Sequence, residues 1–104
     1  MIIRSWRGRA LPAREQDYVR HFRTNVLPEL GALEGFLGAS LLRRDDKGEV
    51  EIQVQTKWRS LDSVRAFAGA DIARAVVEPE AEAALTSFDK KVAHYEVVVD
   101  EVME

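Results

Sequence analysis

His94 is the clearest candidate for proton chemistry in this sequence. It lies in a run rich in β-branched residues, Val92 to Val99, where an imidazole could act as a general base near neutral pH. Such a base could take an acidic proton from a small, planar substrate. The alternative is a histidine that only hydrogen-bonds a neighbouring backbone or carboxylate group. We take His94 as the candidate catalytic residue.

Two tryptophans and an arginine could bind such a planar substrate. Trp6 and Trp58 each offer a large flat face and an N–H donor. Trp58 is in phase with the apolar residues of its strand, which favours a place in the core, whereas Trp6 shares a face with Arg4. The Arg4 guanidinium could neutralise a phenolate or carboxylate, or could pair with Glu96 if their strands are neighbours.

Three further residues lie on the first predicted helix. Tyr18 and Phe22 are on its apolar face, so we expect them to belong to the core or to the wall of a substrate pocket. His21 lies off that apolar stripe, and we expect it to be exposed.

An acidic cluster, Glu78, Glu80 and Glu82 with nearby Asp89, raises the question of a metal site. Its spacing matches no known site and no histidine flanks it, so we expect a solvated surface and no metal. The glycine-rich, nucleophile-elbow and H-E-x-x-H patterns of nucleotide-binding proteins, hydrolases and zinc proteases are absent. We expect no cofactor.

The composition is that of one water-soluble globular domain over residues 1–104, with 46% hydrophobic and 32% charged residues. The chain has no cysteine, which removes disulfides and zinc–thiolate sites and fits a reducing cytoplasm. No signal peptide and no membrane-spanning run is apparent. With a pI of about 5.4 and no basic stripe, we expect a cytoplasmic protein that binds neither nucleic acid nor membrane.

The first third of the chain predicts a strand and a long helix. Residues 2–9 alternate between apolar and polar side chains, as in a strand. Pro12 can occupy the first turn of a helix predicted over residues 12–33. Pro28 removes one backbone donor from this helix, which predicts a kink near Leu27.

The middle of the chain predicts an antiparallel hairpin. Phe36 to Arg44 is apolar on both of its alternating faces, residues 45–48 form a tight polar turn, and Val50 to Trp58 alternates more clearly than any other segment. A strand that is apolar on both faces needs to be covered on both sides.

The last third predicts a broken helical crossover and a closing strand. Ser60, Asp71 and Pro79 can each begin a helix, the third of which reaches Phe88. The β-branched run Val92 to Val99 is then the final strand.

The element order β-α-β-β-α-β predicts an α+β, ferredoxin-like fold, with an antiparallel sheet and both helical crossovers on one face. The other sheet face is left uncovered. Because the second strand is apolar on both faces, we expect a second, identical sheet to cover it, which predicts a homodimer.

Four segments resemble the antibiotic biosynthesis monooxygenase-like family: Leu27 to Leu30, Gly35 to Gly38, Trp58 to Phe67 and His94 to Val97. The resemblance runs over nearly the whole chain and implies a dimeric α+β barrel with a pocket between sheet and helices in each subunit. Characterised members oxygenate polycyclic aromatic compounds without metal or flavin, open haem, or have no known activity. Fold transfers more safely than chemistry across such a family.

In the haem-opening branch, an asparagine on the first strand works with a tryptophan and a histidine of the second helical region. On our alignment Phe67 and Val77 occupy the latter two positions here, and the only asparagine, Asn25, lies on the first helix. The resemblance therefore does not imply haem degradation for this chain.

These observations lead to one hypothesis and two alternatives. The hypothesis is a cofactor-independent monooxygenase that acts on a small aromatic compound, with His94 as base and with Arg4, Trp6, Tyr18, Phe22 and Trp58 around the substrate. The first alternative is a non-catalytic dimer that holds a small apolar molecule in the same pocket. The second is an isomerase or cyclase of the same fold, which would consume no oxygen.

Overall fold

A computed structural model of the chain describes residues 1–103. The five strands are β1 (Ile2–Ala10), β2 (Phe36–Asp46), β3 (Glu49–Trp58), β4 (Ser87–Phe88) and β5 (Ala93–Glu96). The helices are α1 (Glu15–His21), α2 (Leu27–Gly31), α3 (Leu61–Ala68) and α4 (Pro79–Ala84). The sheet runs β2-β3-β1, and both β4 and β5 pair with the free edge of β1, all antiparallel. This is the predicted ferredoxin-like fold.

The β2–β3 hairpin follows the sequence pattern closely. Along β3, the buried side chains alternate strictly with half-buried polar ones, and the buried set begins at Val50 and ends at Trp58. The turn is shorter than the predicted residues 45–48, because both aspartates belong to β2 and only Lys47 and Gly48 connect the strands. Both have positive φ, 54° and 79°, as a two-residue type I′ turn requires.

The predicted first helix is not continuous. A 3-10 turn (Pro12–Arg14) leads into α1, and a π-helical stretch, Phe22–Val26, separates α1 from α2. Leu27 N–H donates to the Phe22 carbonyl, five residues back, and Pro28 follows without an N–H to donate. The irregularity expected near Leu27 is therefore a widened helical turn immediately before the proline.

The second crossover contains one error of prediction. Ser60 caps α3 as expected, accepting from the Ser63 backbone N–H at 3.3 Å, and Pro79 begins α4. The helix predicted from Asp71 does not form. Its backbone instead pairs with the approach to β5, through Ala75 N–H to Lys90 and Val92 N–H to Ala73. Tertiary hydrogen bonds have replaced the helical ones.

The closing strand is also shorter than predicted. α4 ends at Ala84, so Phe88 lies in β4 and not in the helix, and β5 covers Ala93–Glu96 instead of residues 92–99. β5 pairs with Ile2 through Ser5, and Val97 N–H makes the last bond, to the Met1 carbonyl.

All four helices lie on the sheet face that carries the buried residues of β3. Tyr18, Phe22, Ala81 and Ala84 pack against Val50, Ile52 and Val54, while Leu30 and Val64 pack around Trp58. The opposite face carries polar side chains of β1 and β3, such as Ser5 and Gln53, which hydrogen-bond each other. No helix within residues 1–103 is both long and apolar enough to cross a membrane.

We expect Gly35→Ala to destabilise the protein more than Gly48→Ala. Both glycines have positive φ, which costs an alanine about 1–2 kcal/mol. A Cβ on Gly48 meets open space, but one on Gly35 would overlap Ser63 Oγ and lie 2.6 Å from Ser63 Cβ, adding roughly 1–3 kcal/mol of overpacking. Urea unfolding of the two variants measures the difference.

The double variant Gly35→Ala/Ser63→Gly is the control, because it removes both clashing atoms. It should recover part of the loss after allowance for Ser63→Gly alone. Equal destabilisation of the two alanine variants would contradict the packing argument.

Candidate active site

A cleft of about 650 Å³, including the space open to solvent, lies between the sheet and the helices. Four aromatic rings form much of its wall: Trp6, Tyr18, Phe22 and Phe67. Three polar side chains also line it: Arg4, Thr56 and Glu78. The remaining wall is aliphatic, from Val26, Leu30, Val54, Val76, Val77, Ala81 and Val92. Such a surface suits a flat, largely apolar ligand with one polar group.

The aromatic wall is held in place from both ends. Trp6 stacks on Tyr18, with ring centroids 6.0 Å apart and planes 25° from parallel, and its Nε1 donates to the Asp89 carbonyl at 2.9 Å. Burial raises the pKa of the Tyr18 phenol, so this group stays protonated across the physiological range. At the other end Phe67 stacks on Trp58 at 5.9 Å.

Arg4 is a buried cation whose partners are all neutral. Only 5% of the residue is exposed, and its guanidinium donates to the backbone carbonyls of Ile72 at 2.6 Å and Arg74 at 2.9 Å. Nη1 also lies 3.0 Å from His94 Nε2, and Cζ lies 5.7 Å from the centre of the Phe67 ring. Within residues 1–103 no carboxylate pairs with it, so the alternative pairing with Glu96 does not occur.

The environment of Arg4 favours an anionic ligand. Burial lowers the pKa of the guanidinium, but an arginine remains charged at neutral pH. A buried charge that lacks a counter-ion interacts strongly with an anion brought beside it, because little water screens the pair. An anionic oxygen in the cleft would supply that missing partner.

His94 stands opposite Arg4 in the β1–β5 register, so both side chains are on the helical side of the sheet. A guanidinium can only donate, so Nε2 is the acceptor and the imidazole is neutral, with its proton on Nδ1. Burial, and secondly the charge of Arg4, lower the pKa of His94. His94 is not among the described residues that line the cleft, so its catalytic role stays a prediction.

The predicted substrate-binding residues separate into two groups. Arg4, Trp6, Tyr18 and Phe22 line the cleft together. Trp58 lies behind the wall, fully buried, with its Nε1 donating to Thr56 Oγ1 at 2.8 Å. It supports Phe67 and Thr56 and does not line the cleft itself.

Sequence reasoning missed Phe67, Val76, Val77 and Glu78 as cleft residues. Phe67 carried a usable signal, because it is in phase with Val64 on the apolar side of α3. Val76 lies on the segment predicted as a helix, and Val77 and Glu78 follow it directly. The irregular course of this segment, not a helical period, brings all three to the wall.

The prediction that His21 is exposed is wrong, since only 8% of the residue is accessible. α4 packs against α1 and covers it. The apolar stripe of a helix does not reveal whether a later segment folds over its flank.

The family profile of the antibiotic biosynthesis monooxygenases matches residues 1–79, about three-quarters of the chain. The chain belongs to this family. Among curated proteins, none matches it. The family assignment agrees with the fold and with a cleft between sheet and helices.

Solved structures of similar fold include family members of different activity. The heme-degrader MhuD of Mycobacterium tuberculosis is 24% identical, with 98% of this chain and all of that chain covered and a TM-score of 0.62. The ActVA-Orf6 monooxygenase of Streptomyces coelicolor, solved with nanaomycin D, is 16% identical, with 99% and 91% covered and a TM-score of 0.60. SnoaB, a cofactor-independent oxygenase of Streptomyces nogalater, is 17% identical, with 95% and 93% covered and a TM-score of 0.55.

The cleft of this family member does not fit haem. Within residues 1–103 its wall contains no histidine, cysteine or methionine to ligate iron, and Val77 occupies the position we aligned with the histidine of haem-opening members. Tyr18 is the remaining ligand type, and its raised pKa disfavours the phenolate that iron would need.

We expect NMR titration to give His94 a pKa below its ordinary value of about 6.5. The unfolded chain then takes up a proton on His94 more readily than the folded protein does. The stability that the neutral His94 ring contributes is therefore fully present above about pH 6.5 and is lost as pH falls through the pKa of the folded state. In Arg4→Met the pKa should rise part of the way, because burial remains and the neighbouring charge is gone. A wild-type pKa at or above 6.5 would contradict the Arg4–His94 contact.

Proposed function

We propose that this protein is a cofactor-independent monooxygenase of small planar aromatic compounds that carry an acidic oxygen, such as phenols and anthrones. The observation that carries the proposal is Arg4, a buried cation without a carboxylate partner at the wall of an aromatic cleft. A reducing cytoplasm is the proposed compartment, in keeping with a cysteine-free chain.

Substrate binding follows from the composition of the wall. The faces of Trp6, Tyr18, Phe22 and Phe67 would contact a fused-ring substrate, and Arg4 would receive its oxygen. Ionisation of that oxygen becomes easier beside a buried cation, because the anion is the form that Arg4 stabilises.

The proton acceptor in this proposal is His94. In the free protein its Nε2 accepts from Arg4, so the lone pair is engaged. When Arg4 turns to a substrate oxyanion, Nε2 is released and can accept a proton from the substrate carbon. Its lowered pKa keeps the imidazole unprotonated and ready at neutral pH.

The oxidation then needs no cofactor. The substrate carbanion gives an electron to dioxygen, and the two radicals combine to form a carbon–oxygen bond and a peroxide. The imidazolium of His94 returns its proton to the peroxide, which becomes a hydroperoxide. Removal of the second C–H proton then breaks the O–O bond, and the hydroxide that leaves combines with that proton to give water beside the carbonyl product. One dioxygen is consumed per methylene oxidised, one of its atoms enters the product and the other leaves as water.

Two structural neighbours have activities that agree with this chemistry: SnoaB is a cofactor-independent oxygenase, and ActVA-Orf6 is a monooxygenase with a bound ligand. At 16–17% identity they support the fold alone, so the proposed reaction rests on the residues of the cleft.

A non-catalytic ligand-binding protein is the second candidate. The hydrogen bond between Arg4 Nη1 and His94 Nε2 favours it, because His94 is held against Arg4 and does not line the cleft. In that case Arg4 would bind an anion and His94 would only position the guanidinium.

Oxygen uptake with a panel of anthrones and hydroquinones separates the two candidates. His94→Gln should lower kcat by about 10²- to 10⁴-fold, as expected for loss of a general base. Arg4→Met should raise KM as well, because it removes the oxyanion partner. Arg20→Met is the control, since Arg20 is an exposed arginine on α1 that lies outside both the cleft wall and the open sheet face.

Each outcome assigns a function. Uptake that depends on His94 and Arg4 supports the oxygenase. Quenching of Trp6 fluorescence by the same compounds, lost in Arg4→Met and without uptake, supports the binding protein. Neither uptake nor quenching would contradict the assignment of an aromatic ligand to this cleft.

We also propose that the protein is a homodimer, with the open sheet face as its interface. Leu42 and Tyr95 are on that face and are 45% and 59% exposed. Past β5, Val98, Val99 and Val102 are more than three-quarters exposed in a single subunit. Apolar side chains exposed in this number favour contact with another chain, and an identical sheet is the simplest one.

Analytical ultracentrifugation should find a dimer in the wild type and a monomer in Leu42→Asp. Leu61→Asp is the control, since Leu61 is similarly exposed but lies on α3, on the helical side. A monomeric wild type, or dissociation by both variants alike, would contradict the interface.

A further inference from the structure

A second group of ionisable side chains lies where α1 meets α4. His21 is 8% exposed, and its Nε2 has no hydrogen-bond partner within residues 1–103. Its other ring nitrogen, Nδ1, lies 3.0 Å from the side-chain amide of Asn25. A buried polar atom without a hydrogen-bond partner destabilises the folded state. The Nε2 atom of His21 therefore lacks a binding partner that would remove this cost.

Two carboxylates face the free nitrogen. Glu78 Oε2 lies 3.9 Å from His21 Nε2, too far for a hydrogen bond. With Glu80, the three side chains place one ligand atom each within 4.8 Å of one another. Glu78 and Glu80 flank Pro79, whose ring restrains the backbone between them.

We propose that His21, Glu78 and Glu80 form a binding site for a divalent first-row transition ion, with Zn²⁺ preferred. One imidazole nitrogen and two carboxylate oxygens are ligands that Zn²⁺ accepts, whereas Mg²⁺ and Ca²⁺ favour oxygen alone. Two ligands at about 2.1 Å from one ion in a tetrahedral site lie roughly 3.4 Å apart. The 3.9 Å gap thus needs a movement of about half an ångström, which the partly exposed Glu78 side chain can make.

Asn25 supplies the hydrogen bond that a metal-binding histidine needs on its far nitrogen. A half-turn of its exposed amide brings the oxygen towards Nδ1, which then donates its proton and leaves the Nε2 lone pair free for the ion. The four-residue spacing of His21 and Asn25 puts both on one side of the first helical segment.

From the sequence we expected no metal, because no histidine flanks the acidic cluster. The fold brings His21 to the cluster from a position 57 residues before Glu78 in the chain. Glu78 belongs both to this cluster and to the cleft wall, so a bound ion would lie beside the cleft. Three protein ligands leave at least one position for water or a ligand oxygen. The proposal does not rest on the oxygenase chemistry, because it concerns ion binding alone.

Isothermal titration calorimetry of the whole chain with Zn²⁺ tests the site, with Mg²⁺ and Ca²⁺ as comparison ions. We expect one Zn²⁺ per chain and no comparable heat from the other two. Glu80→Gln should weaken Zn²⁺ binding about tenfold or more, since a neutral amide replaces a charged ligand. Glu82→Gln, an exposed acid on the same helix outside the cluster, should bind as the wild type does.

Co²⁺ provides a second measurement that needs no change to buried His21. Its visible absorption should appear in the wild type, persist in Glu82→Gln and weaken in Glu80→Gln. In the wild type, Zn²⁺ should also shift the NMR signals of the His21 ring. Absence of binding, equal loss in the two glutamine variants, or an unchanged His21 ring at saturating Zn²⁺ would overturn the site, whatever the result with oxygen.

Discussion

Burying the Arg4 guanidinium imposes a requirement that organises the rest of the molecule. A cation on the inner face of a sheet must find acceptors, and Arg4 takes the backbone carbonyls of Ile72 and Arg74. Those carbonyls are then unavailable to a helix, and the segment that carries them runs as a turn followed by irregular backbone. Its course brings Val76, Val77 and Glu78 to the cleft. The hydrogen bonds of Arg4 thus hold its positive charge at the cleft and also hold in place the loop that encloses it.

The parts of the fold that sequence could predict are those decided by local spacing. β3 alternates because its apolar residues have a period of two, and Ser60 and Pro79 begin helices because their side chains suit a first turn. The helix predicted after Asp71 was wrong because the backbone there makes its hydrogen bonds to residues near Lys90 and to Arg4. Local sequence patterns do not represent such distant partners. The prediction that His21 is exposed was wrong for a related reason, since α4 covers a side of α1 that would be exposed if the helix stood alone.

The candidate site divides in the same way. Sequence identified Arg4, Trp6, Tyr18 and Phe22 by type and face, and the fold brings them into one cleft. It could not identify the state of His94, because the position of the proton on the imidazole depends on the guanidinium that meets Nε2 across two strands. Family membership does not decide the reaction either, since proteins of similar fold include a heme-degrader and a cofactor-independent oxygenase.

The π-helical stretch Phe22–Val26 determines which side chains of this helical region face the cleft. Tyr18, Phe22, Val26 and Leu30 all line the cleft at intervals of four residues. In a regular α-helix each such step advances by about 40°, so the last of the four would point about 120° away from the first. A wider turn rotates less per residue and returns the later side chains towards the cleft. The wall therefore depends on the number of residues in this helical segment, and one residue fewer would turn its second half away from the ligand.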